Sequence, residues 1–473
     1  MRFLHVLLIL TFFFTLIFSC DFLGKEQVTT EEKVAQTYCS SCHLYTPPHL
    51  LDKASWQKVL PIMKKKIELT GQIVPKEDWN TIYHYYYSNA PFSLTLPSID
   101  TQTIDKIKMN LTDSLSFESI PPFIISMVED EKHNLVIGTL QGDIYSGSFT
   151  KKDTHSASTD LLPIQVKIRN DSSLIVLNMG ELGPHHEAKG SIVEVSNQIS
   201  DTLIENLHRP IHFTLSDLDK DQNEEYIISQ FGSTNDNKET GGLWLYEKGS
   251  FEPVQISSFT GASKSIVTDL DKDGLDDIVA LFSQGDEKIV LYKNEGELKF
   301  TQKILLRFHP LYGCLDFTID DINEDGKDDI LLVNGDNADY SPVFKPYHGF
   351  RVFQQTGQLE FEEKIFHHIN GAAKILTLTS DENKVYGIFS LYPDLYTRPW
   401  ETMSFIAINS NFDSKRYYTT ELTGSNWVIS NVDQKGSLTF GKNLKIQKNI
   451  PSIRSDDPLK NFSAVRFEVH FNQ

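Results

Sequence analysis

Asp217-Leu218-Asp219-Lys220-Asp221, Asp269-Leu270-Asp271-Lys272-Asp273-Gly274 and Asp321-Ile322-Asn323-Glu324-Asp325-Gly326 begin 52 residues apart. The same step joins Asp381 to Asp433, and Asp171 and Asp130 stand one shorter step after another upstream. Between these acidic marks run short β-type stretches: Phe123-Ile124-Ile125, Leu174-Ile175-Val176-Leu177, Tyr226-Ile227-Ile228 and Ile330-Leu331-Leu332-Val333. Helical periodicity is absent beyond Pro91. A period of roughly 40 to 50 residues, with several strands per unit, predicts blades that bury their faces only against neighbours. Seven units predict a mainly β chain, a seven-bladed β-propeller over 115–473.

Each strong loop follows the frame D-x-[DN]-x-D-x-x-x-[DE]. Its members are Asp217, Asp219, Asp221 and Glu225; Asp269, Asp271, Asp273 and Asp277; Asp321, Asn323, Asp325 and Asp329. Calcium takes six to eight hard oxygens, and positions one, three, five and nine can wrap one ion, with the carbonyls of Asn223, Leu275 and Lys327 as further donors. An EF-hand needs a bidentate acid at position twelve, where Ile228, Ala280 and Leu332 stand instead. The competing reading is a set of turns with solvated carboxylates. Like charges crowded into nine residues repel without a cation, which favours Ca2+.

The mature cysteines are Cys39, Cys42 and the distant Cys314, and the pair sits in Cys39-Ser40-Ser41-Cys42-His43. C-x-x-C-H is the attachment pattern of c-type haem: on one helical turn two thiols reach the porphyrin vinyls while the imidazole faces iron. A thioredoxin-like pair is the alternative, but no strand precedes the motif. Trp56, Val59, Leu60, Met63 and Ile67 recur at helical spacing. A thioether is the usual high-potential ligand, so Met63 is the expected axial partner of His43, with His49, His84 or an open face as alternatives. A third helix is read from Pro75, Glu77 and Asp78 at its start and the stripe Trp79, Ile82, Tyr83, Tyr86. Residues 32–90 are thus expected to form a small all-α cytochrome c-like domain preceding the propeller, followed by a linker over 91–114.

The acidic loop followed by a strand resembles the FG-GAP (VCBS) repeat of integrin-α-like propellers. Phe231-Gly232 and the pairs Gly142-Asp143, Gly285-Asp286 and Gly335-Asp336 carry the likeness. Together with Leu60-Pro61-x-Met63, His208-Arg209-Pro210, Asn334-Gly335-Asp336-Asn337 and Lys345-Pro346-Tyr347-His348-Gly349, the chain resembles a bacterial exported lipoprotein family that joins an N-terminal cytochrome c segment to an FG-GAP propeller. That resemblance implies haem and metal binding and does not specify a substrate.

Met1-Arg2, the apolar run Phe3 to Phe18 and the small residue Ser19 read as a secretory signal over 1–20. The run is shorter than the roughly 20 residues of a spanning helix. Leu16-Ile17-Phe18-Ser19-Cys20 resembles a lipoprotein box, which implies lipidation of Cys20, a tether over 21–31 and attachment to a bacterial membrane in the periplasm or at the cell surface. Bulky Phe18 departs from the usual pattern and keeps ordinary signal cleavage open. With 44 basic against 64 acidic residues the net charge is −20, which excludes a nucleic-acid reader.

Two further loops hold pocket-type residues. Gly183-Pro184-His185-His186-Glu187 reads as an exposed connection. The long insertion from Asp336 carries Tyr340, Lys345, Tyr347 and His348, a possible pocket that Arg209 joins if the loops meet near the central channel. Cys314 has no thiol left to pair with and is expected to be buried. The first reading of function is haem-mediated electron transfer, with the calcium-binding propeller docking a redox partner protein or a small-molecule electron donor. The alternatives are an oxidoreductase whose propeller oxidises a small molecule, such as a sugar, and an adhesion or carbohydrate-binding module.

Overall fold

The computed structural model describes residues 28–98, 105–115, 124–130, 134–148, 151–159, 161–170, 173–181, 187–233, 240–249, 252–337, 341–378, 384–391, 399–419, 422, 427–429, 437–442 and 464–470. Cys20 with the signal and most of the tether, Tyr340, His185, His186, Asp171, Asp381 and Asp433 lie outside them.

Three helices come first: α1 (Thr30–Cys39), α2 (Lys53–Leu69) and α3 (Lys76–Asn89). Side-chain oxygens satisfy two of the exposed helix starts. Thr29 Oγ1 accepts from Glu32 N at 3.1 Å, and Asp52 Oδ1 accepts from Ser55 N at 2.7 Å. The predicted stripes become one core: Trp56, Val59, Leu60 and Ile67 of α2 meet Trp79, Ile82, Tyr85 and Tyr86 of α3 and Ala35 of α1. Tyr86 fixes the segment after α1, since its hydroxyl donates to Thr46 O at 2.7 Å.

Seven sheets follow, each built round an antiparallel four-stranded meander. Their innermost strands, adjacent round the ring, are Ile124–Glu129, Pro163–Asn170, Pro210–Ser216, Ala262–Thr268, Cys314–Asp320, Ala372–Leu378 and Trp427–Ile429. The apolar clusters explain why a blade cannot stand alone. Leu218, Ile227 and Leu245 of the third blade pack on Ile278, Ala280 and Phe282 of the fourth, and the next cluster joins the fourth to the fifth. The second strands Asp277–Phe282 and Asp329–Asn334 are buried at every position, which is why they read as unbroken apolar runs.

A bulge recurs at one register in six inner strands, just before Ser126, Gln165, His212, Lys264, Asp316 and Lys374. Five of these polar side chains reach the backbone of the next inner strand. Ser126 donates to Pro163 O, Gln165 accepts from Phe213 N at 2.8 Å, and His212 Nδ1 accepts from Ser265 N at 3.4 Å. Lys264 donates to Phe317 O at 2.8 Å, and Asp316 accepts from Ile375 N at 2.9 Å. The bulge thus turns a side chain along the ring and clips blade to blade.

Residues 105–115 correct one expectation. The span 91–114 was predicted as linker, yet Asp105–Lys106 runs parallel to Ser414–Tyr418, and Lys108–Leu115 pairs antiparallel with Ala464–His470 as the outermost strand of the last blade. Ile107 and Met109 are buried in the core of the last two blades. Propeller structure therefore starts before residue 115, and the ring is closed by strands from opposite ends of the chain. Among the described residues no helix is long and apolar enough to cross a membrane.

Candidate functional site

The C-x-x-C-H motif begins on the last residue of α1 and then leaves the helix. Ser40 caps it through a bond from its N–H to Gln36 O at 3.1 Å, and Ser41 Oγ donates to Tyr38 O at 2.8 Å. The expectation that the whole motif occupies one helical turn is corrected here: the helix ends at Cys39, and the Ser41 hydroxyl takes up the Tyr38 carbonyl beyond it. Cys39 packs against the helical core, and burial pushes its thiol up to about 11, while Cys42 is exposed. His43 is partly covered; burial lowers its pKa, opposed by the Leu44 carbonyl 2.9 Å from Nδ1. A ring with Nδ1–H held by a carbonyl keeps the Nε2 lone pair for a metal.

Of the candidate sixth ligands, Met63 is partly buried against the same cluster as Cys39. His49 and His84 are exposed, the latter 4.0 Å from Glu31. Two thiols astride a turn, an imidazole of fixed tautomer, a thioether and an apolar three-helix core make a donor set that suits c-type haem.

The three acidic loops share one geometry. The first-position carboxylate accepts from the N–H of the sixth residue: Asp217 from Gln222 at 2.9 Å, Asp269 from Gly274 at 2.9 Å, Asp321 from Gly326 at 2.8 Å. The ninth-position acid is buried and accepts from the second N–H: Glu225 from Leu218 at 2.8 Å, Asp277 from Leu270 at 3.3 Å, Asp329 from Ile322 at 3.2 Å. Burial, then the neighbouring loop carboxylates, push Glu225 up to about 7 and Asp277 and Asp329 up to about 6. The sixth residue has positive φ throughout, natural for Gly274 and Gly326 and strained for Gln222.

The loops differ in how their charge is balanced. Ligand atoms of Asp217, Asp219 and Glu225 lie within 4.8 Å of one another, as do those of Asp269, Asp271 and Asp273. In the second loop Lys293, on the neighbouring strand Lys288–Asn294, pairs with both Asp271 and Asp273, the latter at 2.6 Å. The register that opposes Tyr246 to Tyr226 and Tyr292 to Ile278 puts exposed Glu247 at the equivalent place in the first loop. There Asp217 Oδ1 is buried with no hydrogen-bond partner. In the third loop the Asn323 amide donates to Asp325 at 3.2 Å.

Of the residues expected to line a pocket, Lys345 and Tyr347 are engaged elsewhere. Lys345 is buried and donates to Ser341 O at 3.0 Å and to Asn337. Tyr347 stacks on Tyr312 with centroids 5.3 Å apart, and its hydroxyl donates to Leu50 O at 3.0 Å. His348 is 2% exposed. The insertion therefore fastens the propeller to the helices. Arg209, at positive φ, lies over Phe231 at 5.0 Å and is not joined to these residues by any described contact. Cys314 is buried and in no disulfide, and its N–H donates to Glu287 at 2.9 Å.

Residues 35–122 match the family model described as dihaem cytochrome c, and residues 269–332 match that of the FG-GAP-like repeat. The sequence has a single C-x-x-C-H, where the dihaem description names two haems. No curated protein matches the chain. Among solved structures it is similar to the N-terminal domain of Nup159, at 11% identity over 80% of this chain and 100% of that one with a TM-score of 0.44. It is also similar to the WD40 β-propeller domain of Doa1, at 11% identity over 77% and 98% with a TM-score of 0.44. The described chain thus joins an amino-terminal cytochrome c segment to a seven-bladed β-propeller carrying an FG-GAP-like repeat.

Proposed function

We propose that this protein is an exported c-type cytochrome, lipid-anchored through Cys20, whose haem passes single electrons while its propeller docks the redox partner. Cys39 and Cys42 would hold the porphyrin by thioethers, His43 would ligate iron, and Met63 would complete the coordination. When bound, the haem would supply a one-electron couple; the helices would exclude water from it, and the Leu44 carbonyl holds the His43 ring in one tautomer. The observation that carries this reading is the placement of Cys39, Met63 and the α2–α3 stripes on one apolar cluster, beside a His43 whose Nδ1 is already engaged.

Calcium is the second cofactor of this reading, bound on the rim opposite the helices. In an antiparallel meander the loops after first and third strands leave at one end, and those after second and fourth strands at the other. The acidic loops are of the first kind; the insertion that meets Leu50 is of the second. The unpaired oxygen of Asp217 and the absence of a lysine equivalent to Lys293 favour the first loop, whereas Lys293 competes for the second.

The deciding experiment is secretion from a host able to mature cytochromes. A red protein with the mass of one haem on the peptide containing Cys39 and Cys42 is expected. Colourless protein without that mass gain overturns the electron-transfer reading and leaves the propeller alone.

A further inference from the structure

We propose that the propeller itself completes the haem site: the loop Phe308 to Gly313 forms one wall of the cofactor pocket, and His309 is a positioning residue that tunes the iron held by His43. This deepens the haem reading above and rests on it.

The contacts run from chain to cofactor site. Leu311 of this loop and Val343 of the insertion pack against the same helical core that Cys39, Met63, Tyr38 and Tyr45 pack against. Ser341 Oγ donates to the buried Ser55 Oγ of α2 at 2.6 Å, and Tyr347 clasps Leu50. The loop is preorganised. Phe308 N donates to Glu287 O at 2.8 Å, Gly313 N to the Glu287 carboxylate at 3.1 Å, and Tyr312 N to His309 O at 2.9 Å. Tyr312 is sandwiched by stacking on Tyr347 and on Phe308, and Asn334 Nδ2 donates to both Tyr312 O and Tyr347 O.

His309 stands in this turn and is hydrogen-bonded to the backbone of Tyr45, two residues beyond His43, with its Nδ1 buried and unpartnered. Asp286 and Arg307 are bonded to each other at 2.7 Å on the same rim. An imidazole next to an iron site adds a fixed dipole, and its replacement by a hydrocarbon favours the less charged ferrous state.

The test uses the full chain matured with its haem, in wild-type, His309→Leu, His309→Gln and Leu311→Ala forms. Haem mass, visible spectrum and midpoint potential are measured on each. Expected for His309→Leu is undiminished haem mass with the reduced-to-oxidised ratio raised about tenfold at a fixed solution potential, which is about 59 mV for one electron. His309→Gln is expected to return toward wild type, and Leu311→Ala to shift the Soret band even if His309→Leu folds poorly. Loaded variants with the wild-type spectrum and potential overturn the inference. A wild-type chain lacking haem mass is a different result: it removes the haem reading, and this inference with it.

Discussion

At the scale of single residues, the proposed reading assigns iron to His43 and Met63, and the Met63 assignment can be tested alone. Met63→Ala removes a thioether from a partly buried face of α2, so the expected result is loss of the low-spin, six-coordinate spectrum and a lower potential; an unchanged spectrum assigns the sixth position to another residue. A second residue-scale effect is pH dependence from buried imidazoles. His212 is lowered to about 3, by burial and then by Lys264, Lys167 and Lys374; His367 is lowered to about 4, by burial and then by Arg416. The unfolded chain binds their protons near the ordinary pKa of 6.5, the folded chain only well below it. Stability from this source is full above about pH 6.5 and is lost as pH falls toward 4, by at most about 1.4 kcal/mol per pH unit and per histidine. His212 Nδ1 also accepts from Ser265 N, a bond a proton would abolish. Unfolding free energies measured from pH 7 to pH 4.5 should fall less steeply in His367→Gln than in wild type, and equal slopes would refute the assignment.

Acidic loops are the elements on which the sequence is most readable. Their ligand types, their 52-residue step and the φ > 0 sixth position are all local, so the repeat announces blades before any contact is known. What local sequence does not carry is the partner across a strand pair. Lys293 is twenty residues from Asp273, and only the register of the sheet brings its ammonium there. The insertion is legible as a long loop but its task is not, because Tyr347 meets Leu50 across 297 positions of chain. His309 has no motif of its own and becomes visible only through its hydrogen bond to the Tyr45 backbone. The loop contrast makes a prediction: excess calcium should raise the melting temperature over chelated protein, by about 2.7 kcal/mol of stability per site at a hundredfold excess over Kd. Asp217→Asn should abolish most of that response, and Lys293→Met should enlarge it. A response indifferent to both substitutions would place the ion elsewhere.

Closure governs the whole molecule. A propeller blade with a missing outer strand exposes unpaired N–H and C=O groups and the faces that its neighbours cover. Here that strand is Lys108–Leu115, which zips onto Ala464–His470 and so ties the segment after the helices to the far end of the ring. Period-two alternation over 108–111 was the available signal, but a lone strand without an acidic loop gave the repeat nothing to mark. Ile107 and Met109 are each 2% exposed, and burying a side chain of that size contributes about 1.5 to 3 kcal/mol. A propeller beginning at residue 116, close to the boundary read from the repeat, should therefore melt several degrees below one beginning at residue 99 and should be cut faster by protease. The longer fragment keeps both the parallel pair at Asp105–Lys106 and the closing strand. Equal melting temperatures and equal proteolysis rates would mean that closure by the early strand adds nothing, and leave the described contacts at Leu50, Ser55, Leu311 and Val343 as the tie between helices and ring.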